Sequence, residues 1–144
     1  MRMPMTFQNH NPAMLWGRFM PRVKEIKNRV GHAFYSLQKT VPPVLFSEIK
    51  PDTPFEKWAL VEVSDLKDIP DGMKSFELAA GTYAVFNHIG NTVEGFMQSI
   101  HYIIGDWLPD SGYVLDLRPH FEVLGEKYDR FNPNSEEEIW IPVK

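Results

Sequence analysis

The chain has no cysteine, which excludes a disulfide framework, a thiolate nucleophile and any zinc site built on sulfur. No stretch approaches the ~18 apolar residues of a membrane-spanning helix, and Met1 to His10 lacks the apolar run of a secretory signal. Basic residues are not in excess: 15 Lys and Arg stand against 19 Asp and Glu, for a formal net charge of -4. A nucleic-acid surface ordinarily needs a basic stripe, and no helix-turn-helix pattern accompanies the charge deficit. The five histidines show no HExxH or comparable spacing, which argues against a metal site. Ser111-Gly112 lacks the nucleophile-elbow pattern, and Gly81, Gly90 and Gly95 do not make a phosphate loop. These absences lead us to expect no metal, no cofactor, no nucleic-acid or membrane partner, and a cytoplasmic location.

What is present describes a globular protein. Hydrophobic residues make up 43% of the chain and aromatics 13%, whereas disordered chains are poor in both. The 144 residues suit one domain, 1–144, large enough to bury a core. Met1 to Gln8 alternates as a short strand that Pro4 confines to an edge. Asn11-Pro12 starts a helix, with Asn as cap and Pro in the first turn. Trp16, Phe19, Val23, Ile26 and Val30 follow at helical spacing, with a bend expected at Pro21 and a stop at Gly31. Strands are expected over 32–39 and 55–64, separated by a Pro-rich loop over 40–54, and 65–74 is a surface connection.

The second half replays this order. Phe76-Glu77-Leu78 is strand-like, a turn falls near Gly81, and a strand runs from Tyr83 to His88. Asn91 or Thr92 caps a second helix whose stripe is Val93, Phe96, Met97, Ile100, Ile104 and Trp107, ended by Pro109 and Gly112. Two strands close the chain, Arg118 to Leu124 and Glu138 to Lys144. The predicted class is therefore α+β: tandem β-α-β-β repeats, about 1–65 and 75–144, forming an antiparallel sheet with two amphipathic helices.

The last two strands carry the chemistry. Alternation puts Phe121 and Val123 on one face and His120, Glu122 and Leu124 on the other; the final strand divides into Ile139, Ile141 and Val143 against Glu138, Trp140 and Pro142. We expect a hydrocarbon face backed by a face with the carboxylates of Glu122 and Glu138 beside the indole of Trp140, covered by the two helices. A carboxylate near aromatic surface suits an amphipathic organic cation. Bland readings stand beside these. Glu122 is either a solvated strand residue or a ligand carboxylate, Trp140 is half-exposed or a pocket wall, and Trp58 is core or pocket. Tyr102, off the stripe of the second helix, either reaches over the cleft or is an exposed helix tyrosine.

Several segments occur in a fixed order: Leu15-Trp16-Gly17-Arg18-Phe19-Met20-Pro21-Arg22, Trp58-Ala59-Leu60-Val61-Glu62-Val63, Gly81-Thr82-Tyr83-Ala84-Val85-Phe86, Trp107-Leu108-Pro109 with Ser111-Gly112-Tyr113, Pro119-His120-Phe121-Glu122-Val123, and Ile139-Trp140-Ile141-Pro142. This set resembles the effector-binding domains of bacterial AraC-type and multidrug-responsive MerR-type regulators, the gyrase-inhibitor-like (GyrI-like) small-molecule-binding family, over nearly the whole chain. The resemblance implies a cleft in which an acidic residue, matched by Glu122, and a C-terminal aromatic, matched by Trp140, meet a small amphipathic or cationic ligand. Leu124 and Glu138, two residues away on the same strand faces, line the same cleft in this reading. The implied function is a stand-alone drug-binding or sensing module. The resemblance also holds two alternatives: a hydrolase of reactive cyclopropane-bearing compounds using Glu122, and a protein that inhibits a topoisomerase or docks on a regulator.

Overall fold

A computed structural model describes residues 1–144. Six strands form one antiparallel sheet: β1 (Arg2–Thr6), β2 (Phe34–Thr40), β3 (Pro54–Leu60), β4 (Thr82–Ile89), β5 (His120–Leu124) and β6 (Glu136–Val143), in the spatial order β1-β3-β2-β5-β6-β4. Each half contributes a β-α-β-β unit, and the β2–β5 pair joins them, Leu37 opposite Phe121 and Ser36 opposite Glu122. Pro4 lies on the edge strand β1, where its missing N–H costs no ladder bond on the open side.

The helices follow the local signals, with two adjustments. α1 (Pro12–Phe19) is capped by Asn11, whose Oδ1 accepts from the Met14 amide at 3.3 Å. The chain then tightens into a 3-10 turn, Met20–Glu25, with Pro21 at its start. The expected helical stripe therefore ends early, and Val30 is exposed. α2 (Val93–Tyr102) is capped by Thr92, not Asn91: the threonine Oγ1 accepts from the Gly95 amide at 3.1 Å. It runs through a π turn, Ile103–Trp107, into a last helical turn, α3 (Leu108–Ser111), so Pro109 lies inside the final turn. Gly112, with φ of 78°, ends it in the left-handed region that glycine adopts without steric cost. No helix is long and apolar enough to cross a membrane.

Both helices pack on the same face of the sheet. Leu15 and Phe19 of α1 join Met5, Phe55 and Ala59 in one apolar cluster, and Ile100 of α2 with Ile103 joins Ile139 and Ile141 in another. Burying each such side chain contributes about 1.5–3 kcal/mol relative to leaving it in water, so each half-sheet is held by its own helix. The cross-strand row Ala59, Ser36, Glu122, Ile139, Phe86 points toward the helices. The neighbouring row Trp58, Leu37, Phe121, Trp140, Val85 points the other way.

That register corrects the expected faces. Phe121 is opposite Trp140, Glu122 opposite Ile139, and Val123 opposite Glu138. Glu122 and Leu124 thus lie on the helix-bearing face, whereas Trp140 and Glu138 lie on the reverse face with the supposed hydrocarbon pair Phe121 and Val123. The helices cover the face carrying Glu122 and not the one carrying Trp140. The physical reason is the two-residue period of side-chain alternation: one residue of register moves a whole strand's side chains across the sheet. The β3–β4 connection is a second departure. Phe76 to Leu78 is not a strand; residues 61–81 form no regular element apart from a lone bridge between Val63 and Arg29.

Candidate functional site

On the face away from the helices, four strands and the 61–81 connection enclose a cavity of about 480 Å³, within the ~300–1,000 Å³ range of small-molecule pockets. Nine of its eleven lining residues are hydrophobic. The sheet supplies Leu37, Phe121, Val123 and Trp140 together with Tyr35 and Leu60, and the connection supplies Val61, Phe76 and Leu78. Phe121 stacks on Trp140 with ring centroids 5.2 Å apart and 23° between planes, and Tyr83 closes on both from the side. The Tyr83 hydroxyl donates to the Pro119 carbonyl at 2.8 Å, and the Arg118 guanidinium lies 4.5 Å above the Tyr83 ring. Gly81 admits that guanidinium, since a Cβ there would run into it. Phe76 meets Trp58 edge to face at 5.0 Å. Such aromatic contacts contribute about 0.5–1.5 kcal/mol each beyond area burial.

The two remaining lining residues are Glu62 and Glu138. The Trp140 indole donates to Glu138 Oε2 at 2.8 Å, which orients the carboxylate beside the ring. The Tyr35 hydroxyl is pushed above its ordinary pKa, first by burial and then by the charges of Glu62 and Glu138. No Lys, Arg or His lines the cavity. It is an apolar, aromatic-walled pocket with a purely acidic polar complement, and no group of three or more His, Asp and Glu side chains is gathered as metal ligands would be.

Of the residues expected to share one cleft, the structure brings together only Trp140 and Glu138. Trp58 occupies the same sheet face but is buried in the cluster of Leu37 and Phe121 beside the cavity. Tyr102 sits on α2 and is 54% exposed; the sheet separates the helix from the pocket, so it does not reach over it. Leu124 points to the helix side. Glu62, Tyr35 and Phe76 are pocket residues that the site reading missed. For Glu62 a signal existed, because Trp58, Leu60 and Glu62 share one face in the alternation expected over 55–64, although β3 itself ends at Leu60.

Glu122 has a different setting. The central strands present a polar strip between the two helix-covered clusters, comprising Ser36, Gln38, His120 and Glu122, with Lys57 of β3 opposite Gln38. Gln38 Nε2 donates to Glu122 Oε2 at 3.1 Å. Lys57 is 4% exposed; burial lowers its pKa, against the attraction of Glu122 and Glu137. Burial raises that of Glu122, against the charge of Lys57. Burial, and then the same positive charge, push the His120 imidazole down to about 3, so it is neutral here. Burial and then Glu122 push Glu137 up to about 7.

A carboxyl whose pKa is raised by folding binds a proton that the unfolded chain has released, so stability falls as pH rises from about 4.5 through 7. Glu137→Gln should flatten that slope and leave the protein about 2 kcal/mol more stable than wild type at pH 8. Urea unfolding at pH 5 and pH 8 checks this, and an unchanged slope would contradict the placement of Glu137.

Residues 7–143 match the family described as Cass2, integron-associated effector binding protein. A similar curated protein is the transcriptional regulator BrlR of Pseudomonas aeruginosa, 32% identical over 136 residues. That alignment covers 90% of this chain but 45% of the regulator, so the chain spans about half of its relative's length. The chain belongs to the Cass2 effector-binding family.

Proposed function

From that membership we infer that the effector of this domain is a cationic organic molecule with a substantial apolar body, held in the cavity on the face away from the helices. One observation carries the inference: the only acidic or basic side chains lining an otherwise apolar 480 Å³ cavity are the two carboxylates of Glu62 and Glu138. Aromatic rings attract an organic cation through their quadrupoles, by about 0.5–2 kcal/mol per contact depending on desolvation. The carboxylates add a Coulomb term that an uncharged molecule of the same shape does not receive. An anion would meet only repulsion.

In this reading Glu122 is structural, its side chain projecting from the opposite face beside Gln38. Hydrolysis by Glu122 of a molecule held in this pocket is no part of this reading, for the same reason.

The test compares N-methylacridinium with acridine at pH 7.5, two planar molecules of nearly equal size that differ in charge. At a concentration about 100-fold above its Kd, the cation should raise Tm by about 5–10 °C, and acridine at the same concentration should raise it much less. Equal shifts would remove charge selection from the account.

A further inference from the structure

The pocket is not acidic throughout, and its polarity changes along the strands. The floor row holds Leu37 and Phe121, 2% and 4% exposed, with Trp140 beside them. Two residues further along β2 and β5, the next row on the same face is Leu60, Tyr35, Val123 and Glu138. Glu138 is exposed, and so is Glu62. Successive same-face residues of a strand are roughly 7 Å apart. Glu138 therefore sits one row out from an apolar floor, and Glu62 lies two residues beyond Leu60, just past the end of β3; both are at the rim, with the Tyr35 hydroxyl in the field of both.

We propose that this pocket selects ligands whose positive charge is terminal: the apolar body lies on the Leu37 and Phe121 floor, and the charged head stays at the rim between Glu62 and Glu138. The proposal rests on the cation-binding inference above and adds an orientation to it. Unlike N-methylacridinium, whose nitrogen lies on one edge of its ring plate and can face the rim, a cation whose charge is enclosed between two apolar arms is disfavoured. Seating its body on the floor draws the charge away from both carboxylates into hydrocarbon, where desolvation is uncompensated. Keeping its charge at the rim leaves part of its body in water and forfeits that burial. A terminal head meets neither cost.

Two isomers make the test, since they share one formula and one charge. Trimethyl(4-phenylbenzyl)ammonium carries its nitrogen at one end of a biphenyl body. Dibenzyldimethylammonium carries it between two rings. Isothermal titration at low salt should give a Kd at least about tenfold lower for the first. In the bound complex, its ring protons should show intermolecular NOEs to the methyls of Leu37 and Val123, and its N-methyl protons should show none to Leu37. Equal or tighter binding of the central cation would overturn the orientation while leaving cation binding intact, as would N-methyl NOEs to Leu37. Failure of both isomers where uncharged 4-methylbiphenyl binds would overturn the cation-binding inference itself, and the orientation with it.

Discussion

Replacing Glu62 and Glu138 together by glutamine is expected to weaken N-methylacridinium binding at least about tenfold and to change acridine binding less than about twofold. The tenfold figure corresponds to about 1.4 kcal/mol. Two unit charges ~4 Å apart interact by about 1 kcal/mol in water and about 4 kcal/mol near a partly desolvated surface. Both carboxylates are at the rim and exposed, so each contributes nearer the lower figure. Glutamine keeps the shape and removes the charge, and at position 138 its carbonyl still accepts from the Trp140 indole, which preserves the wall. The same reasoning gives a salt dependence: affinity for the cation should fall as ionic strength rises, and that of acridine should not. Fluorescence titration of both ligands against the double variant reads all of this. A double variant that binds the cation as well as wild type would show that aromatic surface alone holds it.

The second large effect concerns the other face. Lys57→Met is expected to increase the loss of stability between pH 5 and pH 8 by about 3 kcal/mol, since removing one partner from a buried set of charges leaves the others uncompensated, while methionine escapes at both pH values the burial cost that lowers the Lys57 pKa. Glu122 and Glu137 would then face each other across the strip without their cation. Methionine preserves the unbranched stem, so the loss is electrostatic more than steric. Removing the lysine raises both folded-state carboxyl pKa values further. The cost is then concentrated above pH 7, where the unfolded chain has released those protons, and shrinks toward pH 5, where the folded state keeps them. Denaturant unfolding at the two pH values measures the difference. Binding of N-methylacridinium by the folded fraction should be unaffected, because Lys57 and the pocket are on opposite faces of the sheet. A variant with the wild-type difference in stability between pH 5 and pH 8 would mean that these charges are not coupled.

The contrast between Glu122 and Glu138 marks where sequence stops being informative. Alternation within each strand is legible, and Trp58 with Leu60, Phe121 with Val123, and Glu138 with Trp140 are each correctly paired on a face. The two helices, the duplicated unit and the caps at Asn11 and Thr92 are legible for the same reason, because they depend on residues close in sequence. The relation between strands is not. β5 and β6 are joined by residues 125–135, too long a connection for a tight turn to set the register, and a shift of one residue decides whether Glu122 or Phe121 shares a face with Trp140. Apolar Phe121 and Val123 read as a core seam, and they are the floor of the pocket. Phe76 has strand-like neighbours, yet the chain there crosses the pocket as a wall without joining the ladder. Tertiary packing against Trp58 holds it, and no local propensity encodes that contact.

The most direct measurement is a methyl-resolved NMR titration with N-methylacridinium. Adjacent residues on these strands report opposite faces of the sheet, so few positions are needed. Ring-current shifts are expected at Leu37, Leu60, Leu78 and Val123, with Leu15, Ile100, Ile139 and Ile141 unmoved. Shifts centred on Ile139, Ile141 and the helix residues, with Leu37 and Val123 silent, would place the ligand beside Glu122 under the helices and contradict the account.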